Sequence, residues 1–445
     1  MNWWREKPNL KRGAKLLEEL IECCDGKSNP IKFFSAPQIR KATNNFSKSN
    51  QVSELYKFYD KWYAGKNENH PMILIRKSLD VFYGYREGNL CRDIAISSMV
   101  SGQKNFLKLV GCCFEFEDPV MVYNGVRKHD QLHHIISRQP WKRRMMIAED
   151  IATALAYLHT AFPRPFVYRS LIPDNVLLDE DLVAKLSDFS GCVSIPEGET
   201  FVKVNRIYCG DIYKDSKYWR DGVVSVETDV YAFGMLMQML LHGCHEVWVD
   251  KLFHRITRKQ SADGYATAAR TVFVIKNTQV LLLVLMKGGR TEDLFKHVNP
   301  EDLKRMGLIS EEELLNGFRD VGQLSHRITG EEISDDSITE REDQKRQIQD
   351  WLLKHMEEGK MHEIADPEML EKMGEISEKE LSQMKAFLML SQRCIGLKGE
   401  TPTMVEVAKE LKKIQRSLKN DSSSPSGESQ FDSSQDIASS SQTRF

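Results

Sequence analysis

No apolar run in this chain is long enough to span a bilayer: the longest, Val280 to Met286, falls far short of the ~20 residues a membrane helix requires. The opening residues Met1-Asn2-Trp3-Trp4 contain no apolar signal-peptide core, and Asn2 excludes the Met-Gly start of a myristoylation signal. The nine cysteines include the vicinal pairs Cys23-Cys24 and Cys112-Cys113 but no CxxC spacing, which argues against a disulfide framework and against zinc. They read as reduced thiols of a cytosolic protein. Cys23 and Cys24, at the end of a helix-like segment from Ala14, offer an acylation site, although thiols in a core or interface are commoner. An excess of one charge is also lacking. With 62 Lys and Arg against 64 Asp and Glu the formal net charge is -2, so nothing in the balance calls for nucleic acid or an acidic membrane surface. Glycine is absent between Phe46 and Gly65, which removes from that stretch the kind of turn whose backbone amides cradle a phosphate.

What is present is a pair of linked motifs. Tyr168-Arg169-Ser170-Leu171-Ile172-Pro173-Asp174-Asn175 is followed, after apolar strand-like segments, by Asp188-Phe189-Ser190. In spacing and letters this resembles the catalytic loop HRDLKxxN and the metal-binding DFG of eukaryotic protein kinases. The resemblance implies an α+β, bilobal protein-kinase-like fold with a small β-rich N-lobe and a helical C-lobe. The departures concern the chemistry. Ser170 stands where an Asp would accept the proton of the substrate hydroxyl, and it has no base strength near neutral pH. Ile172 replaces the loop Lys and offers the transferring phosphoryl group neither charge nor hydrogen bond. Asn175 and Asp188, the oxygen ligands expected to hold Mg2+ over the phosphates, are both retained. Weak binding of ATP with Mg2+, or none, is the expectation.

The N-lobe shows the same erosion. Leu16, Leu17, Leu20 and Ile21 predict an amphipathic helix within residues 11 to 24, packed on a lobe or a partner. Val52 to Tyr63 has strand character but fills the expected phosphate-binding turn with bulky groups, and Glu54 adds a charge of the wrong sign. Ile73-Leu74-Ile75-Arg76 is similar to the VAIK strand, with Arg76 in the Lys position and Lys77 on the opposite face. The partner on the following helix is expected to be Asp93, and an Arg76-Asp93 pair reads as a structural bridge rather than a catalytic one. Tyr123-Asn124-Gly125 forms the hinge. Arg76, Asp93 and Tyr123 are the candidate nucleotide contacts.

Ile147, Ile151, Ala154, Leu155 and Leu158 mark one buried helix face ahead of the loop, and Asp229-Val230-Tyr231-Ala232-Phe233-Gly234 resembles the helix that anchors the loop from beneath. Ser190 should make the segment after Asp188 less free to switch than a glycine would, with Gly191 restoring part of that freedom. Lys217 occupies the Glu position of an APE-like motif and Thr401 that of its usual Arg partner, so both members of one ion pair have changed together. About a hundred residues then stand where kinases have roughly twenty. This insertion, about 251–346, reads as a surface excursion, a lineage-specific binding element or an unusual transcript product, and carries no recognisable site chemistry. The expected organisation is a helical arm at 1–32, the N-lobe at 33–125, the C-lobe at 126–420 and a Ser-rich tail at 421–445 too poor in apolar residues to fold.

Phe33 to Phe46 resembles the lead-in of plant receptor-like and wall-associated kinases, and its end Ala42-Thr43-Asn44-Asn45-Phe46, together with Tyr157-Leu158-His159-Thr160-Ala161-Phe162-Pro163, Val193 to Gly198 and Val407 to Leu411, is similar to the ZED-related kinases of plants, pseudokinases allied to wall-associated and receptor-like cytoplasmic kinases. That resemblance implies an adaptor in plant immune signalling, bridging an NLR immune receptor and receptor-like cytoplasmic kinases. It implies a cytoplasmic location, reaching the inner face of the plasma membrane through partners. The alternatives are a weakly active or ATP-binding serine/threonine kinase of the receptor-like type, and a dead gene product.

Overall fold

The computed structural model describes residues 8–24, 29–52, 60–66, 71–78, 87–116, 119–125, 130–204, 213–243, 335–397 and 399–416. The bulky turn with Glu54, most of the insertion and the Ser-rich tail lie outside them. Among the described residues no helix is long and apolar enough to cross a membrane.

Helix α1, Pro8–Cys24, leads into β1, Lys32–Phe33, and α2, Ala36–Ala42. Ser35 and Gln38 form a reciprocal capping box at the start of α2, which fixes where that helix begins. Strands β2 (Asp60–Gly65), β3 (Ile73–Ser78), β4 (Leu109–Cys113) and β5 (Val120–Asn124) complete a five-stranded sheet in the order β1-β4-β5-β3-β2, antiparallel except for β1 with β4. Strand alternation gives the sheet two buried faces. Leu74, Trp62, Met121 and Tyr123 meet Cys91 and Ile94 of α3 (Glu87–Val100), together with Leu16 of α1. Ile73, Ile75, Tyr63 and Val122 meet Ile39 and Phe34 on the other side. Lys77 follows the alternation, its ammonium 5.5 Å above the Phe46 ring.

The larger lobe begins with β6 (Asp130–Gln131) and the short α4 (Leu132–Ile135), then α5 (Trp141–Thr160). The predicted apolar stripe of α5 is buried as expected, with Ile147, Ile151, Ala154, Leu155 and Leu158 at 1% exposure or less. Strand β7 (Phe166–Val167) precedes the loop, and β8 (Val176–Leu178) and β9 (Ala184–Leu186) form a three-stranded sheet with β6. Two further ribbons involve β10 (Val193–Ser194) with β7, and β11 (Val202–Lys203) with β12 (Val223–Val224), the latter following α6 (Ser216–Asp221). Helix α7, Val226–His242, is opened by a Ser225-Thr228 capping box and buried on nearly every side.

The chain resumes in α8, Asp335–Glu357, then α9 (Met361–Ile364), α10 (Pro367–Met373), α11 (Glu378–Cys394) and α12 (Met404–Arg416). Residues 335–346, expected within the insertion, are the first turns of α8. That helix is held in register by buried amides: Gln238 and Gln349 exchange hydrogen bonds of 2.7 and 3.0 Å, and Gln392 donates to Gln349 at 2.6 Å. The base of the excursion is also fastened. Buried Arg144 on α5 is paired with Asp366, and Gly243 leaves the space that this carboxylate occupies: a Cβ on Gly243 would fall 1.9 Å from Asp366 Oδ2.

Candidate functional site

Strand β3 sets Arg76 between Trp62 and Met121, and α3 presents Asp93 opposite it. Arg76 Nη1 lies 2.9 Å from Asp93 Oδ2, with side-chain exposures of 5% and 0%. The two charges touch without the alignment of a linear hydrogen bond. Asp93 Oδ1 accepts from the Ser97 hydroxyl at 3.1 Å and the Phe189 amide at 3.0 Å. Burial pushes the Asp93 carboxyl above the ordinary carboxylate range, while the Arg76 guanidinium, that amide and that hydroxyl pull it back.

The loop is built from below, as expected of α7. Asp229 accepts the amides of Tyr168 at 2.7 Å and Arg169 at 2.8 Å, and lies 2.9 Å from His159 Nε2. Anchored in this way, the loop carries Arg169 at φ 62°, and Asp188 stands at φ 67°, left-handed conformations that a non-glycine residue holds only when its surroundings over-determine it. Arg169 Nη1 donates to the Gly191 carbonyl at 2.9 Å. Phe189 fits between Phe106, at 5.9 Å between ring centroids, and Tyr168, at 5.5 Å, forming an aromatic column behind the cleft. Burial raises the Tyr168 phenol well above its usual range, with the Asp188, Asp93 and Asp229 carboxylates adding to the effect.

The predicted site residues divide into two sets. The Asn175 side chain donates to the Ser170 carbonyl at 2.7 Å. Its backbone carbonyl accepts from the Ser187 amide at 3.0 Å and from the Ser187 hydroxyl at 3.1 Å, which holds the loop against the Asp188 segment. Asp188 Oδ1 accepts the Ser190 hydroxyl at 2.5 Å and faces Arg76 Nη2 at 3.9 Å. Arg76, Asp93 and Asp188 are therefore drawn into one cluster, and Asn175 is tied to Ser187, the residue before Asp188. Tyr123 is not part of the cluster: its ring is 1% exposed and packs on Trp62 at 5.7 Å, so it belongs to the core of the small lobe rather than to an open cleft wall. Ser170 is half-buried, and a Cβ on Gly191 would lie 2.7 Å from its hydroxyl, so Gly191 serves close approach at this point. Ile172 packs against the core of the large lobe. A hydroxyl and a sec-butyl group supply neither a general base nor a cation, so the frame of a phosphotransfer site is assembled without its chemistry.

Comparison with known proteins agrees with this geometry. The family model described as protein tyrosine and serine/threonine kinase matches residues 57–281. A probable inactive receptor-like protein kinase of Arabidopsis thaliana is 53% identical over 446 positions, covering 99% of this chain and 98% of the relative. The inactive serine/threonine-protein kinase ZRK12 of the same plant is also 53% identical, over 447 positions, with 99% of this chain and 89% of the relative covered. The chain belongs to the ZED-related kinase family. A third Arabidopsis thaliana relative in this ZRK group, serine/threonine-protein kinase ZRK4, is 36% identical over 434 positions, covering 94% of this chain and 98% of the relative. The inactivity read from Ser170 and Ile172 accords with the names of the two relatives at 53% identity.

Sequence reasoning missed how α1 is used in this ZRK family member. Arg12 donates to the carbonyls of Phe114 at 3.1 Å and Phe116 at 2.7 Å, and Glu19, 3% exposed, pairs with Arg92 of α3 at 2.8 Å. Arg164 of the large lobe also donates to the Glu22 carbonyl, so α1 touches both lobes. Only the apolar periodicity of α1 was visible beforehand, because its polar partners lie far away in the chain. The altered ion pair has a surface outcome: Lys217 lies 3.4 Å from Glu227, the two side chains being 70% and 59% exposed.

Proposed function

We propose that this ZRK family member acts by binding other proteins, as an adaptor in plant immune signalling between an NLR immune receptor and receptor-like cytoplasmic kinases. It would do so in the cytoplasm, reaching the inner face of the plasma membrane through its partners. One observation carries the reading: the buried Arg76-Asp93-Phe189 network is in place while Ser170 and Ile172 leave the loop without base or cation. A fold kept in order behind a disabled reaction centre is the expected condition of a scaffold. Nucleotide, if admitted, is a structural ligand facing Arg76.

The second reading is slow phosphotransfer through Asp188 and Asn175, favoured by the 2.7 Å bond that orients Asn175. Loss of a general base costs about 10²- to 10⁴-fold. The deciding experiment is phosphate incorporation from labelled ATP by the full chain with Mg2+ or Mn2+, beside an Asp188→Asn control. No incorporation, together with co-purification of an NLR receptor and a receptor-like cytoplasmic kinase, supports the adaptor. Incorporation that the control abolishes overturns it.

A further inference from the structure

Mg2+ demands a near-octahedral oxygen shell at about 2.0–2.1 Å and gives up water reluctantly, so it binds where carboxylate oxygens are presented to it. The residues of this cleft do not fit it. Asp188 Oδ1 already receives the Ser190 hydroxyl at 2.5 Å, a donor that a glycine at position 190 would not bring. The same oxygen faces a guanidinium nitrogen of Arg76 at 3.9 Å. Arg76 is buried and cannot be deprotonated, and its other terminal nitrogen is held by Asp93 at 2.9 Å, so its positive charge is fixed in place. Position 170 contributes a hydroxyl where a second carboxylate would have attracted the cation.

We propose that the Arg76 guanidinium and the Ser190 hydroxyl have taken over the counter-charge role at Asp188, so that the cleft holds no divalent cation and any polyphosphate it admits arrives without one. The inference rests on the reading of the chain as a kinase without phosphotransfer, and it replaces the expectation of metal at Asn175 and Asp188.

The test is equilibrium dialysis of the full chain against radiolabelled Mn2+, with and without ATP. Wild type should show no enrichment of Mn2+ on the protein side in either condition. The double variant Arg76→Lys, Ser190→Gly should gain about one Mn2+ per chain in the presence of ATP, having regained a compact ammonium and lost the competing hydroxyl. Circular dichroism and a melting curve establish that the variant is folded. Enrichment by wild type that Asp188→Asn removes would overturn the proposal, and so would a folded double variant that gains nothing. Wild-type Mn2+ binding without phosphate incorporation sinks this inference alone, whereas incorporation sinks the adaptor reading.

Discussion

The backbone amide of Phe189 donates to the carboxylate of Asp93 at 3.0 Å, which ties the segment after the loop to helix α3. Asp93 thus answers to two elements at once, β3 through Arg76 and the Asp188 segment through Phe189. Asp93→Ala takes the nearer carboxylate from a buried guanidinium, leaving Asp188 at 3.9 Å, and should destabilise the protein by up to about 3–5 kcal/mol, whereas Arg76→Met with Asp93→Leu should cost markedly less. Urea denaturation of the three proteins checks both values.

Restoring one catalytic group is not expected to restore the reaction. Ser170→Asp returns a carboxylate to the loop, but Ile172 still offers the phosphoryl group no charge. Phosphate incorporation from labelled ATP should stay at the level of the Asp188→Asn background. A rise above that background would show that Ser170 alone limits the chemistry.

Arg12 makes two bonds to backbone carbonyls of the small lobe from a helix outside the sheet. A hydrogen bond to a charged group contributes about 1.5–3 kcal/mol, so Arg12→Ala should loosen α1 by a few kcal/mol. Amide hydrogen exchange across residues 8–24 and 87–100 should quicken together, with that of α7 unchanged. Faster exchange confined to 8–24 would mean that α1 rides on α3 without bracing it.

Gly243 ends α7 at φ 78°, and a Cβ there would meet Asp366 Oδ2 at 1.9 Å. Gly243→Ala must displace Asp366 from Arg144, so the loss should approach the ~3–5 kcal/mol of a broken buried pair. Gly198 has a similar φ of 83° with nothing within 4 Å, so Gly198→Ala should cost only about 1 kcal/mol. The two melting curves side by side separate strain from collision.

Cys23 has its thiol pushed up to about 11, chiefly by burial, with Arg92 opposing the shift. At pH 8 its thiolate fraction is then on the order of one in a thousand, against about a quarter for an ordinary thiol. Because the folded-state value is raised, the associated stability is present below the ordinary thiol range and is lost as pH rises towards that of the folded thiol. Iodoacetamide labelling read by mass spectrometry should be slow at Cys23 at pH 8 and climb about tenfold per pH unit. Fast labelling at pH 8 would show that α1 opens readily from α3.

The lobes were legible in the sequence because they depend on local pattern. The spacing of Ile147, Ile151, Leu155 and Leu158 defines a helix face whatever surrounds it, and the interval from Asn175 to Asp188 places a loop before a short hairpin. Arg76 and Asp93 were legible as a pair because each sits at a fixed place in its own element. Other relationships were hidden by distance along the chain. Nothing local to Glu19 points to Arg92, and nothing local to Arg144 points to Asp366, since a charged residue selects its partner only after the helices have packed. The packing of the Tyr123 ring was hidden for a related reason: the neighbour it meets, Trp62, belongs to a strand two places along the sheet.

The clamp of α1 on α3 bears on binding. When a recognition surface must first rearrange, the fraction of molecules in the competent arrangement scales down the observed affinity. Arg12, Glu19 and Asp93 tie α3, the sheet and the Phe189 segment to one another, so a surface formed across them is assembled in advance. In the adaptor reading, such a preassembled surface would add little reordering cost to binding.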